Sequence, residues 1–202
     1  MRLLLIRHGQ THSNVIGALD TARPGADLTD LGREQAASLV ERLRQEPVQA
    51  LHASTLVRTQ QTVAPLARDR GLEVTIHDGL RELDAGELEM NTDNESVDLY
   101  VKTAMSWVEG LTDVRMPGGP TGAEELGRYD RVIEQIAASG VACAAAVSHG
   151  AVIRTWVGAR AGNVDAAYVA AHPLLNTQVV TLVGDPASGW TVEDWGWDQP
   201  HV

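Results

Sequence analysis

The sequence contains no phenylalanine, so aromatic packing falls to five tryptophans and three tyrosines. It has one cysteine, Cys143, which rules out an internal disulfide and fits a reducing compartment. Long hydrophobic runs are missing too. Leu3, Leu4, Leu5 and Ile6 form an unbroken apolar stretch near the N-terminus, too short for a signal-peptide core or a membrane span. A cytoplasmic location is therefore expected. Positive charge is scarce, with 16 Lys and Arg against 27 Asp and Glu and a formal net charge of -11. Such a chain is a poor partner for nucleic acid or an anionic membrane, both of which need a basic surface. Any anion site must be a local cluster of cations that overrides the global field.

Several catalytic signatures are also absent. There is no His-Glu-x-x-His pattern, no cysteine pair, no P-loop, no Gly-x-Gly-x-x-Gly and no Gly-x-Ser-x-Gly elbow. These gaps speak against zinc hydrolases, nucleotide kinases and serine hydrolases. His8 and His12 are four apart, but Gly9 and the strand-like run before them argue against a helical metal site. Neither a metal nor an organic cofactor is expected.

What is present alternates. Residues 2–6 read as a buried strand opening into a loop that runs to Asp27. Thr29 or Asp30 can cap a helix with Ala36, Leu39, Val40 and Leu43 on one face. Residues 48–53 read as a strand. Ser54 can cap a helix ending near Gly71, which Pro65 should kink or shorten. A short strand over 73–77 and an irregular acidic stretch over 78–94 come next. A helix over about 95–109 carries Val97, Tyr100, Val101, Ala104 and Val108 at helical spacing. Thr121 and Glu124 form a capping box for the next helix. Residues 141–147 read as a small-residue strand, followed by a helix to about Arg160 and another over 164–171. Two final strands, 177–183 and 190–195, suggest a hairpin. The pattern predicts an α/β fold, a three-layer sandwich whose mainly parallel central sheet is flanked by helices. One domain over 1–202 is expected, with 78–120 as a lid or cap-like insertion.

Two of these strands end alike. Each delivers a histidine, His8 or His149, to its C-terminal end, and each histidine is followed by glycine. Open α/β sheets bind ligands at that edge, and glycine there lets a backbone approach a ligand closely. His12, His52, His77, His172 and His201 have no such setting and read as structural or solvated.

The run Arg7-His8-Gly9-x-Thr11-x-x-Asn14 resembles the signature of the histidine phosphatase superfamily, in its phosphoglycerate mutase-like branch. The likeness continues through Leu28-Thr29-x-x-Gly32-x-x-Gln35-Ala36, Ser54-x-Leu56-x-Arg58-Thr59-x-Gln61-Thr62 and Leu80-Arg81-Glu82-x-x-x-Gly86-x-x-Glu89. Ser148-His149-Gly150 and Asn176-Thr177 complete it, in the family's order and over most of the chain. The resemblance implies a phosphoglycerate mutase-like fold and a metal-independent phosphatase in which His8 becomes a phosphohistidine. It implies that Arg7, Asn14, Arg58, His149 and Gly150 hold the phosphoryl group, His149 as a third cationic donor if protonated. It places the general acid and base on Glu82, with a raised pKa expected, and with Asp84, Glu87 and Glu89 as nearby rivals. Some branches carry an Asp directly after the second histidine, where this chain has Gly150.

Two departures matter. The family's mutases carry Glu-Arg-x-Tyr-Gly around the acid, whereas here Glu82 is followed by Leu83-Asp84-Ala85-Gly86. Hydrolysis of a small phosphorylated metabolite is therefore favoured over an intramolecular phosphate mutase. The family often has Gly-Glu-Ser before its late helix, where this chain has Gly119-Pro120-Thr121. A non-catalytic phospho-ligand binding module would keep the arginines but lose the nucleophile or acid, and both His8 and Glu82 are present. No role is assigned to the region of Trp195 to Trp197. Substrate identity and oligomeric state, a homodimer included, stay open.

Overall fold

The computed structural model describes residues 1–196, so Trp197 and His201 lie outside the described residues. Among the described residues, six strands form one sheet: β1 (Arg2–Arg7), β2 (Ala50–Ser54), β3 (Val74–His77), β4 (Cys143–Ser148), β5 (Val179–Asp185) and β6 (Gly189–Asp194). Their spatial order is β3-β2-β4-β1-β5-β6. The first four are mutually parallel, β5 runs antiparallel to β1, and β6 closes the predicted hairpin.

The central strands are apolar throughout because helices cover both faces. Successive side chains alternate. Leu3 and Leu5 of β1 face one cluster with Ala144 and Ala146 of β4. Leu4 and Ile6 face the other with Ala145 and Val147. All four β1 residues are fully buried, each contributing roughly 1.5–3 kcal/mol relative to exposure. The second cluster lies under α2 (Asp30–Arg42) and α3 (Val57–Arg70), through Leu39, Val63 and Leu66. The first lies under α4 (Asn94–Val108), α5 (Gly122–Ala138), α6 (Gly150–Arg160) and α7 (Ala166–Ala171). Three layers result, as the alternating pattern predicts.

Local expectations meet mixed outcomes. Thr29 caps α2, and Thr121 with Glu124 forms the expected box on α5. The stretch read as loop to Asp27 contains a short helix, α1 (His12–Ile16). Thr11 and Asn14 box its start, and Gly17 ends it in the left-handed region at φ 72°. Ser54 does not cap α3; Leu56 holds the N-cap position with no side-chain bond. Ser54 is instead the last residue of β2, and its hydroxyl is taken up in the site. Pro65 neither ends nor shortens α3, since it removes only the bond to the Gln61 carbonyl one turn earlier, at a half-buried position. The buried face of α4 is Tyr100, Thr103, Ala104 and Trp107, while Val101 is exposed. The buried Trp107 ring donates its Nε1–H to the Val114 carbonyl at 2.9 Å. Residues 78–120 are not separate from the core. Leu80, Leu83, Tyr100 and Trp107 belong to the cluster beneath the sheet, and two 3-10 turns, Asp78–Leu80 and Gly86–Leu88, lead into α4.

Candidate active site

Parallel pairing of β1 and β4 decides the site. Their register sets Arg7 against Ser148, so the next residue on each strand, His8 and His149, emerges side by side. The His8 amide donates to the Ser148 carbonyl at 3.0 Å. The two ring centroids are 5.2 Å apart. Arg58, in the first turn of α3, reaches between them and is 2% exposed. One turn on, Thr62 accepts the Gly9 amide at 3.0 Å, tying α3 to the His8 loop.

The hydrogen bonds define both tautomers. His8 Nδ1 lies 2.7 Å from the Gly9 carbonyl, which can only accept, so Nδ1 carries the proton. Arg58 Nε then donates to His8 Nε2 at 3.1 Å and to His149 Nδ1 at 3.3 Å. His149 Nε2 therefore bears its ring's proton and donates to Ser54 Oγ at 2.8 Å. Ser54 Oγ also accepts the Leu56 amide and pairs with Thr59 Oγ1 at 2.9 Å. Both histidines are neutral in this arrangement. Burial lowers their pKa values well below the usual imidazole range, and Arg58 adds to the effect. His149 is thus a neutral acceptor toward Arg58, not the cationic donor considered from the sequence.

These shifts have a consequence for stability. A histidine whose folded pKa lies below its unfolded value of about 6.5 binds its proton later when folded. The unfolded chain then holds more protons, so stability is complete above about pH 6.5 and is lost as the pH falls below it. His8, His149 and His52, the last lowered to about 4 mainly by burial, all act in this direction. Glu125, raised by burial, offsets part of it. Urea unfolding should show stability nearly level from pH 8 to 7 and falling below about pH 6.5, toward pH 5, by more than the ~1.4 kcal/mol per pH unit that one histidine provides. A flat profile would mean that the rings are charged in the folded protein.

The other expected residues surround the same cavity of about 240 Å³, whose lining includes Arg7, His8, Asn14, Arg58, Glu82 and Gly150. Arg7 Nη1 donates to the Leu174 carbonyl at 2.6 Å, and its buried Nε has no hydrogen-bond partner among the described residues. Asn14 Oδ1 accepts from the Thr11 amide and from Asn176 Nδ2, both at 3.1 Å. That fixes the amide orientation and leaves Asn14 Nδ2 without a bond among the described residues. Asn176 also donates to the His8 carbonyl at 3.0 Å. Thr177 beside it adopts φ 57°, uncommon for a β-branched residue, and its amide bonds the Arg7 carbonyl at 2.9 Å.

Glu82 takes an unforeseen position. Its oxygens accept the amides of Val152 at 2.7 Å and Ala151 at 3.1 Å, and that of Leu83 at 3.0 Å. The carboxylate thus caps the first turn of α6, where the helix dipole favours negative charge. Its rivals are engaged elsewhere. Asp84 bonds the Gly86 amide, and Glu89 holds the Thr21 and Ala22 amides of the loop before α2. A Cβ on Gly9 would meet the backbone of Gly32, so it allows α2 to approach, while a Cβ on Gly150 would crowd the Arg7 guanidinium at 3.0 Å.

Two charged lining residues escaped the sequence reading. Asp20 lies 3.5 Å from Arg58 Nη1 and offers its carbonyl to Arg58 Nη2 at 2.7 Å. Arg154 brings a third guanidinium to the cavity. Its position four residues after Gly150, on the helix that His149 begins, was the available signal. Burial lowers the pKa of Arg7, Arg58 and Arg154 alike, the mark of positive charge that the surroundings compensate incompletely. His12, His52, His77 and His172 stay outside the cavity lining. His52 and His77 bond each other at 3.1 Å, and His172 stacks on Tyr168. Among the described residues, no group of three or more His, Cys, Asp or Glu could hold a metal ion. No described helix is long and apolar enough to cross a membrane.

Comparison with known proteins gives this geometry a lineage. Over 207 aligned residues the chain is 33% identical to PE-PGRS family protein PE_PGRS11 of Mycobacterium tuberculosis, covering 94% of this chain and 35% of that protein. It is 28% identical to phosphoserine phosphatase 1 of Hydrogenobacter thermophilus, over 67% of this chain and 64% of the relative. The chain thus spans from about a third to under two thirds of these curated relatives. Among solved structures, a mycobacterial glucosyl-3-phosphoglycerate phosphatase superposes with a TM-score of 0.79 at 25% identity, covering 96% of this chain and 98% of that one. The family model for the histidine phosphatase superfamily (branch 1) matches residues 3–198. Sequence, fold and the paired histidines agree that this chain belongs to the histidine phosphatase superfamily.

Proposed function

We propose that the chain is a metal-independent phosphoric monoester hydrolase acting on a small phosphorylated metabolite through a phosphohistidine on His8. The observation that carries this reading is the His8 tautomer. Its Nδ1–H is held by the Gly9 carbonyl, and its Nε2 lone pair faces the arginine that would bind the phosphoryl group.

In the first step His8 Nε2 forms a bond to phosphorus and the ester P–O bond breaks. The leaving alkoxide takes a proton from Glu82. In the second step Glu82 removes a proton from water, whose oxygen bonds to phosphorus while the P–N bond breaks. Inorganic phosphate leaves and His8 is restored. Arg7, Arg58 and Asn14 Nδ2 would bind the charge that spreads over the equatorial oxygens in each transition state. His149, anchored by Ser54 and fully buried behind the cavity lining, would hold Arg58 in place.

The surroundings of Glu82 favour hydrolysis over mutase chemistry. Leu83 and Ala85 stand where mutases carry Arg and Tyr, and both are fully buried in the core. Neither presents a group to a substrate. The relatives named as phosphatases point the same way.

Trapping tests the reading: a brief incubation with a radiolabelled ester should leave an acid-labile, base-stable phosphoenzyme, unaffected by a chelator. Loss of turnover on chelation would contradict it. The role of Glu82 has its own signature. Glu82→Gln should slow an alkyl phosphate by about 10²–10⁴ and p-nitrophenyl phosphate, whose leaving group needs no proton, far less. Equal losses on both esters would make Glu82 only the cap of α6.

A further inference from the structure

Glu82 sits on a segment gripped by side chains. Each carbonyl from Gly79 to Leu83 accepts a hydrogen bond from a side chain of another element. Arg128 of α5 serves three of them, donating from Nη1 to Gly79 and Arg81, both at 2.8 Å, and from Nη2 to Glu82 at 2.6 Å. Ser148, at the end of β4, holds Leu80 at 2.8 Å. Tyr100 of α4 holds Leu83 at 2.9 Å. Gly79 lets α5 come this close, since a Cβ there would meet the Arg128 carbonyl oxygen at 2.6 Å.

Arg128 is the centre of this grip. Its side chain is 12% exposed and pairs with that of the buried Glu125, one turn earlier on α5. A guanidinium presents its donors in a rigid plane, so one group can hold several carbonyls at once. Burying such a pair is costly, and apolar residues of similar volume often serve stability as well. Stability alone therefore does not call for it. Neither Arg128 nor Glu125 lines the cavity, so neither meets a substrate there. What Arg128 fixes is the backbone of Glu82, whose carboxylate is fixed at its other end by the amides of Ala151 and Val152.

We propose that Arg128 is a positioning residue for proton transfer, holding the Glu82 backbone so that its carboxyl group reaches the leaving oxygen. This rests on the acid–base role given to Glu82 above. A misplacement of about 1 Å can cost roughly 10²-fold in rate, so a mount of this kind has a catalytic consequence.

The test removes the guanidinium and its buried partner charge together, as Arg128→Met with Glu125→Gln, so that no carboxylate is stranded out of water. With an alkyl phosphate, kcat should fall by about 10- to 100-fold while KM changes little. Turnover of p-nitrophenyl phosphate, whose leaving group needs no proton, should fall far less. Arg128→Lys should recover only part of the loss, because one ammonium cannot span three carbonyls. Amide hydrogen exchange gives a readout independent of turnover. First-turn amides have no partner within their own helix, so Ala151 and Val152 report directly on the Glu82 carboxylate. Both should exchange faster in the double variant, while the Leu39 amide in α2 stays as protected as before. Equal losses on both esters, or faster exchange throughout the protein, would make Arg128 only a strut for α5 and overturn the proposal. If Glu82→Gln itself slows both esters equally, the acid–base role has failed. The exchange of Ala151 and Val152 then decides alone whether Arg128 places the carboxylate, unchanged rates counting against it. Should the double variant not fold, Arg128→Lys carries the same measurements with the same outcomes.

Discussion

Alanine in place of His8 should lower turnover by about 10⁴–10⁶, the scale on which removal of a nucleophile acts in enzymes that form covalent intermediates. The size follows from what remains. The arginines and Asn14 would still bind a phosphate ester, so KM should change little while the covalent route disappears. The labelled phosphoenzyme should vanish with it. Thermal unfolding supplies the control, because His8 is 3% exposed and its ring bonds the Gly9 carbonyl. A His8→Ala protein that folds, retains the label and turns over at a tenth of the wild-type rate would place the nucleophile elsewhere.

Arg58→Ala should cost about 10²–10³ in turnover, by analogy with loss of one preorganised donor to a developing anion. Arg58→Lys should recover little of it. One guanidinium here addresses His8 and His149 through Nε and the Asp20 carbonyl through Nη2, and a single ammonium cannot span those directions. A second readout separates this role from a purely structural one. Arg58 is the second largest cause, after burial, of the lowered pKa of both histidines. Its removal should therefore raise both, as an NMR titration of the two imidazoles would show. Near-normal turnover in Arg58→Ala, or imidazoles that titrate as before, would contradict the role given to it.

Much of the site was legible in the chain because chemistry and topology left marks in the same places. Two apolar strands each ending in His-Gly foretold two rings at one sheet edge, and the parallel register of β1 and β4 puts them there. Thr29, Thr121 and Glu124 were readable as caps because a cap depends on neighbours within three residues. Ser54 was misread for the complementary reason. A serine at the start of a helical pattern looks like a cap, and only the arrival of His149, 95 positions away, gives its hydroxyl another partner. The short helix α1 was missed although Thr11 and Asn14 can box one another, because an asparagine at the third position is a weaker mark than the usual acid. Arg154 left no mark beyond its distance from Gly150, since an arginine inside an amphipathic helix usually points to solvent.

By itself, the sequence determined the kind of protein this is: an acidic α/β chain whose strand ends carry two histidines and whose blocks place it in a phosphotransfer family. These are local properties, written in periodicity, capping and ordered motifs. The tertiary structure alone decided the states of the chemical groups. Which nitrogen of each imidazole carries the proton, that Glu82 caps α6, and that Arg154 enters the cavity without a carboxylate all depend on atoms from distant segments meeting out of water. Burial and pairing set charge and tautomer, and neither exists until the chain has folded.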